Sequence, residues 1–169
     1  ACDKAPRTAF GALADELESM GAVLHLGDAY LDGLDQDVIF RSPGIRPDIP
    51  PFLSAMEKGS ALTSEMEVFF QVCPCKIIAV TGSDGKTTTT TLIAEMLKNA
   101  GYTVHLGGNI GKPLLSEAGS MSPDDIAVLE LSSFQLMTLS ASPDIAVFTN
   151  LSPNHLDIHK SMEEYALAK

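Results

Sequence analysis

The sequence predicts an α/β fold with parallel sheets and crossover helices. Three observations lead there. Residues 76–80 form an apolar, β-branched run, followed by a Gly-rich turn and then by Leu92, Ile93, Met96, Leu97 and Ala100 at helical spacing. Strand-like and helix-like segments alternate along the whole chain on a scale of roughly twenty to thirty residues, the pattern of βαβ units. Ser64 with Glu67, and Ser161 with Glu164, have capping-box spacing, which marks helix starts.

The elements follow in order. Residues 8–20 carry a narrow apolar stripe (Phe10, Leu13, Ala14, Leu17) and read as a helix stopped by Gly21. Residues 22–26 and 37–40 read as strands separated by a polar, turn-like stretch. Pro43 and Gly44 place a loop at 41–45, and Pro50 and Pro51 open a helix over 49–58 that Gly59 ends. Residues 61–63 read as a strand, and Ser64 opens a helix to about Gln71. Cys73-Pro74-Cys75 interrupts the pattern and is the expected domain boundary, giving domains 1–74 and 75–169. Beyond it the expected strands are 76–80, 102–106, 126–131 and 144–149. A second Gly-rich turn covers 107–111, with helical stretches near 112–118 and 132–139. Residues 150–160 form a polar loop, and Ser161 starts a last helix.

Composition narrows the function classes. The 169 residues are 45% apolar, enough for a real core, and carry a formal net charge of −11. So acidic a chain disfavours nucleic acid or an anionic membrane as partner. Its three cysteines are an odd set, and Cys73-Pro74-Cys75 lacks the two-residue spacer of a redox motif and a second half for a zinc site. Free thiols and a cytoplasmic location are expected. The chain opens without Met and stops at Lys169 inside a helical pattern, so it reads as a piece of something longer.

The chemistry concentrates at the turn over residues 81–88. Gly82 and Gly85 let backbone N–H groups of Ser83, Asp84 and their neighbours converge on an anion, and the following helix N-terminus adds more. Lys86 supplies a cation, and the hydroxyls of Thr87 and Thr88 can face phosphate or Mg²⁺. The standard phosphate loop requires Gly where Val80 stands, so this is a variant. The run of five threonines from Thr87 to Thr91 is unusual in a helix. In a parallel sheet, ligands sit at the carboxyl ends of strands. Asn109, Glu130 and His155 all fall near such ends. Glu130 suits Mg²⁺; Asn109 suits either a substrate donor or a left-handed turn; Asp157 and His159 suit the surface or the orientation of His155.

These motifs, taken in order, resemble the Mur ligase family: residues 81–88, then Gly107-Gly108-Asn109-Ile110-Gly111, then residues 129–136 (Leu-Glu-Leu-Ser-Ser-Phe-Gln-Leu), then Asn150-Leu151 leading to His155-Leu156-Asp157. Within the family the resemblance is to the branch that adds D-glutamate to UDP-N-acetylmuramoyl-L-alanine, and the loop over 41–45 resembles that branch too. It implies an incomplete Rossmann-like, UDP-substrate-binding domain followed by the first part of a P-loop-type ATPase domain. It also implies ATP and Mg²⁺ as cofactors, an acyl phosphate intermediate and a full-length monomer. By resemblance, Gly82, Ser83, Asp84, Gly85, Lys86, Thr87 and Thr88 hold ATP, and Thr87, Glu130, His155 and Lys169 serve metal. Asp3, Ser42, Asn109 and His155 meet the substrate, and Lys86, His155 and Lys169 are catalytic. Lys169 aligns with a lysine that the family carboxylates. The family's opening strand and C-terminal domain are not among these residues, so the chain alone is expected to be inactive. Another Mur-type or folylpolyglutamate synthase-like ligase, or a non-catalytic nucleotide-binding module, are the alternatives.

Overall fold

The computed structural model describes residues 1–169, and the chain divides into two compact units. The first comprises Ala1–Asp37 and Asp48–Ala61. In it, β1 (Cys2–Asp3) runs parallel to β2 (His25–Leu26), with α1 (Ala12–Ser19) in the connection between them. The expected helix over 8–20 is shorter and is preceded by a 3-10 turn, Arg7–Ala9. Gly11 at φ +51 breaks the two apart, a conformation that ends regular helix. Only Ala14 of the apolar stripe is fully buried. In α2 (Pro50–Glu57), Pro at the first positions loses no helical hydrogen bond, and Phe52 and Ala55 are buried.

The second unit comprises Val38–Pro47 and Leu62–Lys169. β3 (Val38–Phe40) pairs with β4 (Ala61–Thr63), and the Arg41 N–H donates to the Thr63 carbonyl at 2.7 Å. α3 (Glu65–Val72) follows, capped by the Ser64 hydroxyl, which accepts from Glu67 N. The main sheet has β6 (Val104–Gly108), β7 (Ile126–Glu130), β5 (Lys76–Thr81) and β8 (Ile145–Phe148) in that spatial order, all parallel. Crossover segments cover its faces, as parallel pairing requires. α3 and the 3-10 turn Leu115–Ser120 pack on one face through Met66, Phe69, Leu114, Leu129 and Leu131. α4 (Lys86–Asn99) packs on the other through Ile93, Ala94 and Leu97 against Ile78 and Val128. A fully buried Leu such as Leu129 is worth about 2 kcal/mol in area removed from water.

Several expected elements differ. The buried stripe of α4 is Thr90, Ile93, Ala94 and Leu97; Leu92 and Met96 face solvent. Thr90 can head this stripe because its hydroxyl donates back to the Lys86 carbonyl at 2.8 Å, which satisfies it without water. The strand expected at 102–106 is shifted to Val104–Gly108, so half of the second Gly-rich turn is strand. The helix expected at 112–118 is the 3-10 turn Leu115–Ser120, its start held by the Glu65 carboxylate accepting from Leu115 N. The two capping boxes form only their Ser halves. The complete box is Ser132 with Gln135, at the start of α5 (Ser133–Leu136). α6 (Met162–Ala168) closes the chain with Ser161 as its cap. No helix is long and apolar enough to cross a membrane.

Gly108 shows how tightly the strand ends are set. Its φ is +95, and a Cβ there would collide with the Glu130 backbone carbonyl. Gly108→Ala is therefore expected to destabilise the full chain by about 2–4 kcal/mol, read as a lower urea midpoint at unchanged slope. A midpoint within error of the wild type would contradict the close approach.

Candidate active site at the strand carboxyl ends

Gly85, in the left-handed region at φ +77, turns the chain from β5 into α4 without any side-chain cap. The first N–H groups of this fourteen-residue helix are thus left to an incoming acceptor. The loop before it is clamped from the β8 side. Ser83 N donates to the Asn150 carbonyl at 2.9 Å, and Ser83 Oγ bonds the backbone of Ser152 and the Tyr165 hydroxyl. Asp84 N donates to Asn150 Oδ1, and the Asp84 carboxylate accepts from Ser152 Oγ at 3.0 Å, which turns its charge to a hydroxyl of the clamp. Gly82, at φ +141, lies so close to Thr149 Oγ1 and the Asn150 backbone that no Cβ fits.

Glu130 ends β7 with only 2% of its surface exposed. Burying a carboxylate is costly unless its oxygens are bonded. Here Thr87 Oγ1 donates to one oxygen at 2.7 Å and Asn109 Nδ2 to the other at 2.8 Å. Asn109 is held there by its own N–H, which donates to the Glu130 carbonyl. It is not a left-handed turn residue: His155, at φ 54, is the one non-glycine residue with positive φ. Lys86 Nζ donates to the Ser83 carbonyl at 2.8 Å. Lys169 Nζ donates to the Gly82 carbonyl at 2.7 Å and to Thr81 Oγ1 at 3.2 Å. Burial, and then the charge of Lys86, push the Lys169 amine down to about 8, against a smaller opposing pull from Glu130.

A cleft of about 130 Å³ opens among Lys86, Asn109, Ser132, Phe134, His155 and Lys169. It gathers four sequence-predicted residues from four different segments, and one of them, Asn109, bonds Glu130, which Thr87 bonds in turn. A hydroxyl and one carboxylate side by side suit a hard cation such as Mg²⁺, which completes its shell with water and phosphate oxygens. No group of three or more His, Cys, Asp or Glu side chains gathers in the chain. Ser42 lies exposed on its loop, and Asp3 lies in the other unit with its carboxylate accepting from Ala5 N.

Of the two alternatives for Asp157 and His159, surface or orientation of His155, Asp157 takes the first: it is exposed. His159 is not at the surface: it is 1% exposed, stacked on Phe134, with Nε2 bonded to Ser133 Oγ at 2.8 Å. Burial lowers its pKa. The same Phe134 ring meets His155 edge-on, so His159 supports the surface on which His155 rests. Other site residues had no assigned role in the sequence reading. They are Phe134, Asn150, Ser152, Tyr165 and Arg41, whose buried guanidinium ties the loop carbonyls of Pro43 and Ile45 to Phe134 O. Ser132 and Gln135, at capping-box spacing, were the one available signal for the Phe134 turn.

Residues 80–169 match the model of the Mur ligase middle domain. The UDP-N-acetylmuramoylalanine–D-glutamate ligases of Clostridium botulinum (strain Okra) and Acetivibrio thermocellus are 56% and 57% identical to this chain over its whole length. The chain spans 37% and 36% of their lengths. Among solved structures, the UDP-N-acetylmuramate:L-alanyl-γ-D-glutamyl-meso-diaminopimelate ligase from Neisseria meningitides shares the fold, with TM-score 0.56 and 19% identity, over 99% of this chain and 57% of that one. The UDP-N-acetylmuramate–alanine ligase MurC from Thermotoga maritima aligns with TM-score 0.50 and 25% identity, over 91% of this chain and 37% of that one.

α6, which carries Tyr165, is tied down by Arg46. Its guanidinium bonds both Glu164 carboxylate oxygens and the Ile158 carbonyl. Arg46, and then the Lys160 N–H, hold the Glu164 carboxyl down at about 2, below its usual 4.5. A depressed carboxyl pKa gives stability that is present above 4.5 and lost as pH falls toward 2. Melting temperatures measured across that window should fall more steeply for the wild type than for Glu164→Gln. Parallel curves would show that the pair adds nothing.

Proposed function

The chain belongs to the Mur ligase family, and from that premise we propose that it is part of an ATP-dependent ligase joining D-glutamate to UDP-N-acetylmuramoyl-L-alanine in peptidoglycan precursor synthesis. The identity to relatives of that name supports the substrates. The observation that carries the chemistry is the Thr87–Glu130–Asn109 cluster at the uncapped start of α4, beside Lys86. In the reaction, the γ-phosphoryl group passes to the alanine carboxylate; the D-glutamate amine then attacks the acyl carbon, and phosphate leaves as the amide forms. Such transfer is catalysed chiefly by positioning and charge neutralisation.

The residues divide the work. Gly82 lets the loop close against Thr149, Ser83 and Asp84 shape the loop while bonded to Asn150, and the N–H groups from Gly85 to Thr88 donate to phosphate oxygens. Lys86 leaves the Ser83 carbonyl for the γ-phosphate. Thr87 and Glu130 hold Mg²⁺, which screens phosphate charge when bound. Asn109 and His155 meet the substrate, with His155 also near a second cation. Asp3 contacts uridine and Ser42 the substrate. The depressed amine of Lys169 is a better nucleophile at neutral pH, which favours its carboxylation by CO₂ to a carbamate with release of a proton. The proposed domain boundary is 74/75, although residues 62–74 pack in one compact unit with 75–169, and the whole protein is a cytoplasmic monomer.

The full-length protein tests this. Phosphate release from ATP should require both UDP-N-acetylmuramoyl-L-alanine and D-glutamate, and Lys86→Ala should lower kcat roughly a hundred- to a thousand-fold. Release driven by a different amino acid would move the protein to another ligase of this type. Nucleotide binding without turnover would leave a binding module. The 169-residue chain by itself is expected to show no turnover.

A further inference from the structure

Cys73-Pro74-Cys75 plays no part in the chemistry above, yet the fold brings its thiols together. Cys73 is the C-cap residue of α3, with its N–H donating to the Phe69 carbonyl at 2.8 Å. Cys75 leads into β5 and is 8% exposed, in the core cluster with Met66, Phe69, Ile77 and Ala127. Pro74 between them has no N–H and a fixed φ, so the turn that joins helix to strand has little freedom. The two sulfurs lie 3.5 Å apart, and Cys73 Sγ also lies 3.6 Å from the Cys75 carbonyl oxygen. The pair is asymmetric. Cys73 is only partly buried, whereas burial, and then its contact with Cys73, push the Cys75 thiol up to about 12.

We propose that Cys73 and Cys75 are a modification site, a dithiol that hydrogen peroxide oxidises to an internal disulfide. The half-buried sulfur of Cys73 is the entry point, because the nucleophile must meet the oxidant. Its thiolate attacks the peroxide oxygen, the O–O bond breaks, and Cys73 becomes a sulfenic acid as one water leaves. The Cys75 sulfur then attacks the Cys73 sulfur, the S–O bond breaks, and the Cys75 proton leaves with the hydroxide as a second water. Two thiols lose two electrons and one peroxide is reduced to two waters. The sulfurs must close from 3.5 Å to a bond of about 2.05 Å, a movement within the reach of side-chain rotation. A ring spanning one intervening residue is strained, so the bond is easily reduced and the site is reversible.

The test uses the full-length protein, titrated with hydrogen peroxide, quenched in acid, denatured, alkylated and digested for peptide mass mapping. Exposed Cys2 serves as the reference thiol. The peptide containing Cys73 and Cys75 should lose both alkylation sites together, fall in mass by two hydrogens, and regain both sites with dithiothreitol. In Cys75→Ser, Cys73 should stop at a sulfenic acid trapped by a 1,3-diketone. In Cys73→Ser, Cys75 should stay alkylatable while Cys2 is oxidised. The wild-type map stands even where a core variant fails to fold. Three results would overturn the proposal: both thiols still alkylatable once Cys2 is oxidised, Cys73 passing to sulfinic acid without the cross-link, or Cys73 found bonded to Cys2 or to a second molecule.

Discussion

A buried carboxylate held by two neutral donors sets the geometry on which the rest of the site depends. Glu130 could not sit at the end of β7 at 2% exposure with either oxygen unpaired. Thr87 and Asn109 each supply one bond, and they come from different strand–helix connections. The single side chain therefore fixes the start of α4 and the turn after β6 relative to the sheet. Gly108 must be glycine for the same reason, since the Asn109 N–H reaches the Glu130 carbonyl only if that backbone comes within contact. Three sequence-distant pieces are thereby tied to one another.

The other wall is built differently. Where β7 contributes a charge, β8 contributes backbone and hydroxyls. Asn150 and Ser152 hold Ser83 and Asp84 in place, and Tyr165 reaches Ser83 from α6. This explains how the loop works without the first glycine of the standard pattern. That glycine gives a phosphate loop its freedom to curl. Here Val80 is a fully buried strand residue, and the close approach falls instead at Gly82, against Thr149 and Asn150. The loop is shaped by what packs on it from the neighbouring strand.

That division also explains what could be read from sequence. The sheet was legible because β5 and β7 are short apolar runs bounded by turn residues, and periodicity alone finds those. Lys86, Asn109, Glu130 and His155 were legible because parallel sheets send ligand groups to strand ends. The α4 stripe was misread because a threonine scores as polar, and its bond to the Lys86 carbonyl becomes visible only in three dimensions. The burial of His159 was illegible for a related reason. A histidine in a polar loop carries no sign of burial, and its partners Ser133, Phe134 and Tyr165 are brought there by α5 and α6. The clamp of Asn150 and Ser152 is likewise a tertiary fact, because residues in a polar loop do not announce which backbone they bond.

The charge balance at the site runs against that of the chain. With a formal net charge of −11, the molecule as a whole repels anions. Lys86 and Lys169 line the cleft, and the carboxylate whose charge pulls on Lys169, Glu130, has its oxygens already engaged by Thr87 and Asn109. Each lysine spends its bonds on loop carbonyls, Ser83 for one and Gly82 for the other, and burial first, then repulsion from Lys86, lowers the Lys169 pKa. An anion at the α4 N-terminus would offset that repulsion and accept from the uncapped N–H groups. A divalent cation entering with it would draw Thr87 and Glu130 from their mutual bond. The polar groups of the site thus satisfy one another, on strands whose positions the parallel sheet fixes.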